Sequence, residues 1–201
     1  MFFRAVHDRC AVDLSALNLP ISNTEAIDLL IRSGYVLVTV NLVALVRACI
    51  GTSEYRRGAR LAEAPDVFDC SSLMKWVYAQ RGIWIPRRTI QQRRCGEPVE
   101  RDDLRAGDLV FTTGHINYYD DDPADGVGHV GLATGEGTVV HAANRRIGIV
   151  ETEIDVFLRD VELRGIRRIV PRPDQVFTFQ VPLKREIETS DDFRWIILQR
   201  L

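Results

Sequence analysis

Phe68-Asp69-Cys70-Ser71-Ser72-Leu73-Met74-Lys75-Trp76-Val77-Tyr78 is the stretch on which the fold turns. Leu73, Trp76, Val77 and Tyr78 fall at i, i+3, i+4 and i+5, which predicts an amphipathic helix, and Asp69 stands where an N-cap belongs. Gly82 stops this helix, and Pro86 closes the short apolar piece after it. A thiol in the first turn of a helix faces the positive end of the dipole and N–H groups with no helical partner. Both favour thiolate, the nucleophilic form, and the same N–H groups can receive the oxyanion of a tetrahedral intermediate. A cysteine in an apolar segment is more often inert packing, but Cys70 has Asp69 before it and Ser71 and Ser72 after it. That is a poor setting for a cysteine placed only to pack.

Upstream, 18–25 carries N-cap chemistry before the apolar helical run 26–32, which Ser33-Gly34 ends. In 35–50, Val36, Val38 and Val40 alternate, and Leu42, Val43, Leu45, Val46 and Cys49 follow helical spacing. Periodicity leaves strand-then-helix open. The stretch is apolar but too short to span a bilayer, and Asn41 and Arg47 interrupt it, so a core helix is expected and no membrane span. Residues 51–58 are loop by composition, and 89–94 is a polar, helix-like stretch leading to Gly96.

From Leu104 the texture turns to β: 108–111, 129–133, 138–141, 148–152 and 166–170 are short β-rich runs divided by Gly and Asp turns. Helices first and an antiparallel sheet second is the α+β pattern. Gly135-Glu136-Gly137 is a hairpin signal between the second and third runs. Such a turn makes these runs antiparallel neighbours and brings His129 and His141 to the same end of the hairpin. A cysteine hydrolase needs an imidazole within reach of its thiol and a group to orient that imidazole, so one histidine can be the base and the other its orienter. The glycines beside His129 let other groups approach the backbone there.

The charge balance, 28 acidic against 26 basic residues for a net −2, argues against bulk capture of nucleic acid, and the pairs Arg56-Arg57, Arg87-Arg88 and Arg93-Arg94 are expected on solvated surface. Cys10, Cys49, Cys70 and Cys95 contain no CxxC pair, which predicts no disulfide framework and favours a reducing compartment. No secretory apolar core follows 1–8. Cys70, Cys95, His129 and His141 lack the paired spacing of zinc sites, and Asp120, Asp121, Asp122 and Asp125 lack the EF-hand period. No phosphate-binding fingerprint is present either, so no metal and no cofactor are expected.

Phe-Asp-Cys-Ser-Ser-Leu at 68–73, Trp76-Val-Tyr78, Gly82-Ile-Trp-Ile-Pro-Arg87, Gln91-Gln92, Leu104-Arg-Ala-Gly-Asp-Leu-Val-Phe111, His129-Val-Gly-Leu132 and His141-Ala142 follow one another in the order of the NlpC-type peptidoglycan peptidases, and from about 42 to 170 the chain resembles that family. The resemblance implies a papain-like α+β fold, with the nucleophile at a helix start packed against an antiparallel sheet. It implies Cys70 as nucleophile, His129 as base and His141 as the orienting third residue. It also implies that Tyr55 lines the site, helping the oxyanion or the substrate, and that Asp69 and Ser71 lie near a free amine of the substrate. Arg57, Ala59 and Ser72 depart from the family pattern of an aromatic and two glycines. The segment 112–128, with Tyr118, Tyr119 and the acidic cluster, is longer than usual and is expected to overhang the cleft.

The expected layout is an N-terminal extension at 1–40, a catalytic domain at 41–171, and a C-terminal extension at 172–201 that forms either a separate tail or a small β-element of the same domain. The expected activity is a cysteine endopeptidase or amidase cleaving amide bonds in peptides of the muropeptide type, next to a D-glutamyl or diamino-acid unit. Two alternatives stay open: an amidase or acyltransferase of the same fold on a substrate outside the cell wall, and a non-catalytic binding module. Many relatives are exported. Without a signal peptide the options are a cytoplasmic recycling enzyme, a non-standard export route, or a chain truncated at its start.

Overall fold

A computed structural model of the chain describes residues 3–114 and 126–201. In order along the chain they form β1 (Arg9–Asp13), α1 (Asn23–Arg32), β2 (Val36–Val38), α2 (Leu42–Arg47), β3 (Glu54–Tyr55), β4 (Val67–Phe68) and α3 (Cys70–Gln80). Then come α4 (Thr89–Gln92), β5 (Glu97–Val99), β6 (Leu109–Thr112), β7 (His129–Ala133), β8 (Thr138–Asn144) and β9 (Gly148–Glu153). The chain finishes with α5 (Ile154–Phe157), β10 (Leu163–Arg168), β11 (Val176–Gln180) and α6 (Asp192–Leu198). Two compact units emerge: Met1–Val40, Tyr78–Trp84 and Arg172–Leu201 in one, Asn41–Val77 and Ile85–Pro171 in the other.

In the first unit β11 lies between β1 and β2 in a three-stranded antiparallel sheet. The alternation of Phe177, Phe179 and Val181 is what makes the tail a strand. Cys10, Val12, Leu30, Tyr35, Phe179, Phe193 and Ile197 join the sheet to α1 and α6 in one apolar cluster. The helix signal before residue 26 is a capping box: Ser22 Oγ accepts from the Glu25 N–H at 3.3 Å, and the Glu25 carboxylate accepts from the Ser22 N–H at 2.9 Å. The Gly82 carbonyl accepts from the Ala11 N–H at 2.9 Å, which ties 78–84 to β1.

Of the two readings open for residues 35–50, a strand followed by a helix is the one that forms, and not a single core helix. The Asn41 side chain accepts from the Ala44 N–H at 3.0 Å and caps a new helix, so β2 ends at Val38 and α2 begins at Leu42. Residues 51–58 are not all loop, because β3 pairs in parallel with β4, Tyr55 opposite Phe68.

The second unit holds a six-stranded antiparallel sheet in the order β5-β10-β6-β7-β8-β9. This is the α+β architecture the sequence predicts. Val110, Ala133, Val139, Phe157 and Ile166 cluster on it. On α3, Leu73, Met74 and Val77 are fully buried. Among the described residues no helix is long and apolar enough to cross a membrane.

One ion pair inside this unit bears on stability. Asp108, 1% exposed, accepts from Arg168 Nε at 2.9 Å and Nη2 at 2.7 Å, and from the Arg105 N–H at 2.8 Å. Removing the guanidinium strands a buried carboxylate. Arg168→Met is therefore expected to destabilise the fold by about 3 kcal/mol, measured by urea unfolding at neutral pH. A loss below about 0.5 kcal/mol, the scale of an exposed pair, would show the carboxylate to be solvated after all.

Candidate active site

Cys70 is the first residue of α3, and Asp69 caps it. Asp69 Oδ1 accepts from the Ser72 N–H at 2.8 Å, while Ser72 Oγ accepts from the Asp69 N–H at 2.8 Å. The carboxylate does more than cap. Arg87 Nη1 donates to its Oδ1 at 3.0 Å and Nη2 to its Oδ2 at 2.5 Å, and the Gly58 N–H donates to Oδ2 at 3.1 Å. Arg87 also donates to Ser71 Oγ at 2.7 Å and to the Ala59 carbonyl at 2.7 Å. Burial alone would raise the Asp69 carboxyl; the hydrogen bonds from Arg87 and the Ser72 N–H, with the Arg87 charge, hold it below its ordinary value. Gln92, fully buried, donates from Nε2 to the Ser71 carbonyl at 2.9 Å and to the Pro86 carbonyl at 2.8 Å, fastening the first turn from its other side.

The expectation of a thiolate-favouring helix start needs correction. Burial first, and the Asp69 charge second, push the Cys70 thiol up to about 12. The N–H groups of Val130 and Ser71, and the Arg87 charge, pull the other way without overcoming them. The cap that orders the helix start thus sets a negative charge beside the sulfur, which together with burial favours the uncharged thiol. A partner that takes the proton during attack is then essential.

The Val130 N–H that reaches the sulfur belongs to β7, one residue after His129. Leu132 pairs with Val140 and Ala133 with Val139, so β7 and β8 form the hairpin and bring His129 and His141 together. His129 Nε2 lies 2.8 Å from His141 Nδ1, and His141 Nε2 lies 3.1 Å from Thr152 Oγ1 on β9. The Phe157 ring packs against both imidazoles, its centroid 5.6 Å from His129 and 4.8 Å from His141. Gly131 leaves the room for this: a Cβ there would stand 2.3 Å from Val139 Cγ1 and 3.1 Å from His141 Cβ. Burial lowers His141 to about 4, so it stays neutral at physiological pH.

Tyr55 lies on β3 beside Phe68, two residues before Cys70. Asp69 and Ser71 are both buried in the Arg87 network. Arg87, expected on solvated surface, is instead the half-buried centre of that network; its signal was the acidic cap 18 residues earlier, visible only once the chain folds back. Thr152 and Phe157 carry no motif that marks them, and Gln92 stands in the Gln91-Gln92 pair without a role read from it. Among the described residues no group of three or more His, Cys, Asp or Glu could hold a metal ion. The expected overhanging segment, with Tyr118, Tyr119 and the acidic cluster Asp120, Asp121, Asp122 and Asp125, lies largely outside the described residues.

The family model for NlpC/P60 matches residues 51–161, more than half of the chain and the whole of this constellation. The chain belongs to the NlpC/P60 family. It is 40% identical over 114 residues to a probable endopeptidase of Corynebacterium glutamicum, covering 57% of this chain and 47% of that protein. It is 31% identical over 101 residues to the gamma-D-glutamyl-L-lysine dipeptidyl-peptidase of Bacillus subtilis, covering 50% of this chain and 32% of that one. The chain therefore spans half or less of these relatives' length. An NlpC/P60 family protein from Bacillus cereus superposes with a TM-score of 0.54 at 26% identity, covering 65% of this chain and 40% of the other. The fold is the papain-like one that the resemblance implied.

The buried imidazole has a measurable signature. Below about pH 6.5 the unfolded chain binds a proton at His141 that the folded NlpC/P60 domain refuses until about pH 4. Stability therefore falls as pH drops through that window, by up to about 3 kcal/mol from this group. Urea unfolding of wild type and His141→Gln at pH 7 and pH 4.5 is expected to show a smaller acid loss in the variant. Equal losses would mean that His141 is solvated.

Proposed function

We propose that this chain is a cysteine peptidase that cleaves an amide bond in cell-wall peptides through Cys70, His129 and His141. The observation that carries this is the meeting of a helix start with a hairpin end: the Cys70 sulfur receives the Val130 N–H, and His129, next along the strand, is held 2.8 Å from His141. Family membership and relatives named as endopeptidases support the reaction class. The name of the B. subtilis relative supports a D-glutamyl peptide as substrate.

In this mechanism the Cys70 sulfur attacks the scissile carbonyl as His129 takes the thiol proton, so no stable thiolate has to form first. The carbonyl oxygen becomes an oxyanion, which the positive end of the α3 dipole at Cys70 stabilises. The intermediate collapses, the C–N bond breaks, and the leaving amine takes the proton from His129. Water then attacks the thioester, giving one proton to His129, which returns it to the departing sulfur, and the carboxylic acid leaves and ionises to solvent. Tyr55, on the strand beside the nucleophile, lines the cleft for oxyanion or substrate. Asp69 and Ser71 serve the frame of the helix start. A substrate ammonium would reach Asp69 only by displacing Arg87, Ser72 or Gly58 from its oxygens.

Mass spectrometry of defined muropeptides incubated with wild type and with Cys70→Ala tests this directly. Cleavage by wild type is expected, with a loss of at least about 10³-fold in Cys70→Ala and an unchanged fold by circular dichroism. Cleavage surviving in Cys70→Ala would overturn the mechanism. No cleavage by either, with Cys70 still alkylated, would remove the cell-wall substrate and keep the thiol chemistry.

A further inference from the structure

Four polar atoms line up behind the nucleophile: His129 Nε2, His141 Nδ1, His141 Nε2 and Thr152 Oγ1, with gaps of 2.8 Å between the rings and 3.1 Å at the far end. Thr152 stands on β9 two residues from Val150, the cross-strand partner of His141, so it meets the ring diagonally across the sheet. The spacing leaves two ways of placing the protons. In one, His129 carries its proton on Nε2 and donates to His141 Nδ1, while His141 Nε2–H donates to Thr152 Oγ1. In the other, Thr152 donates to His141 Nε2, His141 Nδ1–H donates to His129 Nε2, and the His129 proton is forced onto Nδ1.

Only the first arrangement serves the chemistry. With Nε2 engaged by His141, Nδ1 is the ring nitrogen left to His129 for accepting the Cys70 proton, and it can do so only while it bears none. That requires His141 to donate from Nε2, and Thr152 Oγ1 is the oxygen there to accept. We infer that Thr152 is a positioning residue that holds His141, and through it His129, in the base-competent tautomer. This rests on the assignment of His129 as base under Proposed function. Without the hydroxyl, a buried His141 Nε2–H loses its acceptor. An unpaired buried N–H is tolerated less well than a bare ring nitrogen, so the pair shifts toward His141 protonated on Nδ1 with Nε2 bare, and His129 then offers a proton to Cys70 instead of taking one.

The test compares wild type, Thr152→Val and Thr152→Ser. Long-range ¹H–¹⁵N correlation spectra of the imidazoles at pH 7 read the tautomers, and muropeptide turnover reads the rate. In wild type and Thr152→Ser, His141 is expected to be protonated on Nε2 with a bare Nδ1. In Thr152→Val the Nδ1–H form is expected to gain and kcat to fall about tenfold with KM little changed, serine restoring both. Wild-type His141 protonated on Nδ1, or a Thr152→Val spectrum identical to wild type, would overturn the inference. The spectra need no substrate. The predicted tautomers without muropeptide turnover would support the role of Thr152 and count against the cell-wall substrate alone.

Discussion

The helix that begins at Cys70 imposes the constraint on which the site depends. Its first-turn N–H groups have no helical partner, and the residue that caps them sits immediately before Cys70. Asp69 satisfies the helix but brings a negative charge to the sulfur, and with burial it keeps the thiol protonated. Arg87 is the counterweight. Its two nitrogens neutralise the carboxylate, and the same guanidinium ties down the Ala59 carbonyl and Ser71. The 58–59 backbone and Arg87 itself are fixed relative to the helix start by this one ion pair.

With burial and Asp69 favouring the protonated thiol, a nucleophilic role for Cys70 would depend on the hairpin. β7 supplies the Val130 N–H to the sulfur and, one residue earlier, the imidazole that can take its proton. β8 supplies a second imidazole kept neutral by burial, and Phe157 closes over both. Gly131 is part of this device, since the hairpin brings Val139 so close that a methyl group would collide, 3.1 Å from His141 Cβ. The helix gives the site its dipoles and the sheet gives it its proton chemistry. Neither is sufficient alone.

Much of this was legible in the sequence because it is local. The helix at 70–80 announces itself through the apolar spacing of Leu73, Trp76 and Val77 after Asp69, and the hairpin through Gly135-Glu136-Gly137 between two β-rich runs. Both features follow from backbone chemistry within a dozen residues. What stayed hidden depends on chain segments meeting from afar. Arg87 resembles any surface arginine until it folds back onto Asp69, and Thr152 is one threonine among several until β9 pairs with β8. The Cys70 thiol misled for the same reason: the helix dipole can be read from local sequence, but desolvation of the sulfur cannot. Residues 35–50 left a core helix and a strand-then-helix both open, because periodicity does not show that the Asn41 cap splits the segment.

The central claim is that His129 takes the proton of Cys70. The most direct measurement is the rate at which iodoacetamide alkylates Cys70 at pH 7, followed by peptide mapping in wild type and in His129→Ala. With the thiol pushed up to about 12 by burial and Asp69, reactivity near neutrality depends on the imidazole. The account predicts that the rate falls at least about tenfold when His129 is removed. Equal rates in the two proteins would mean that His129 does not serve the thiol, and the assignment of the active site would fail.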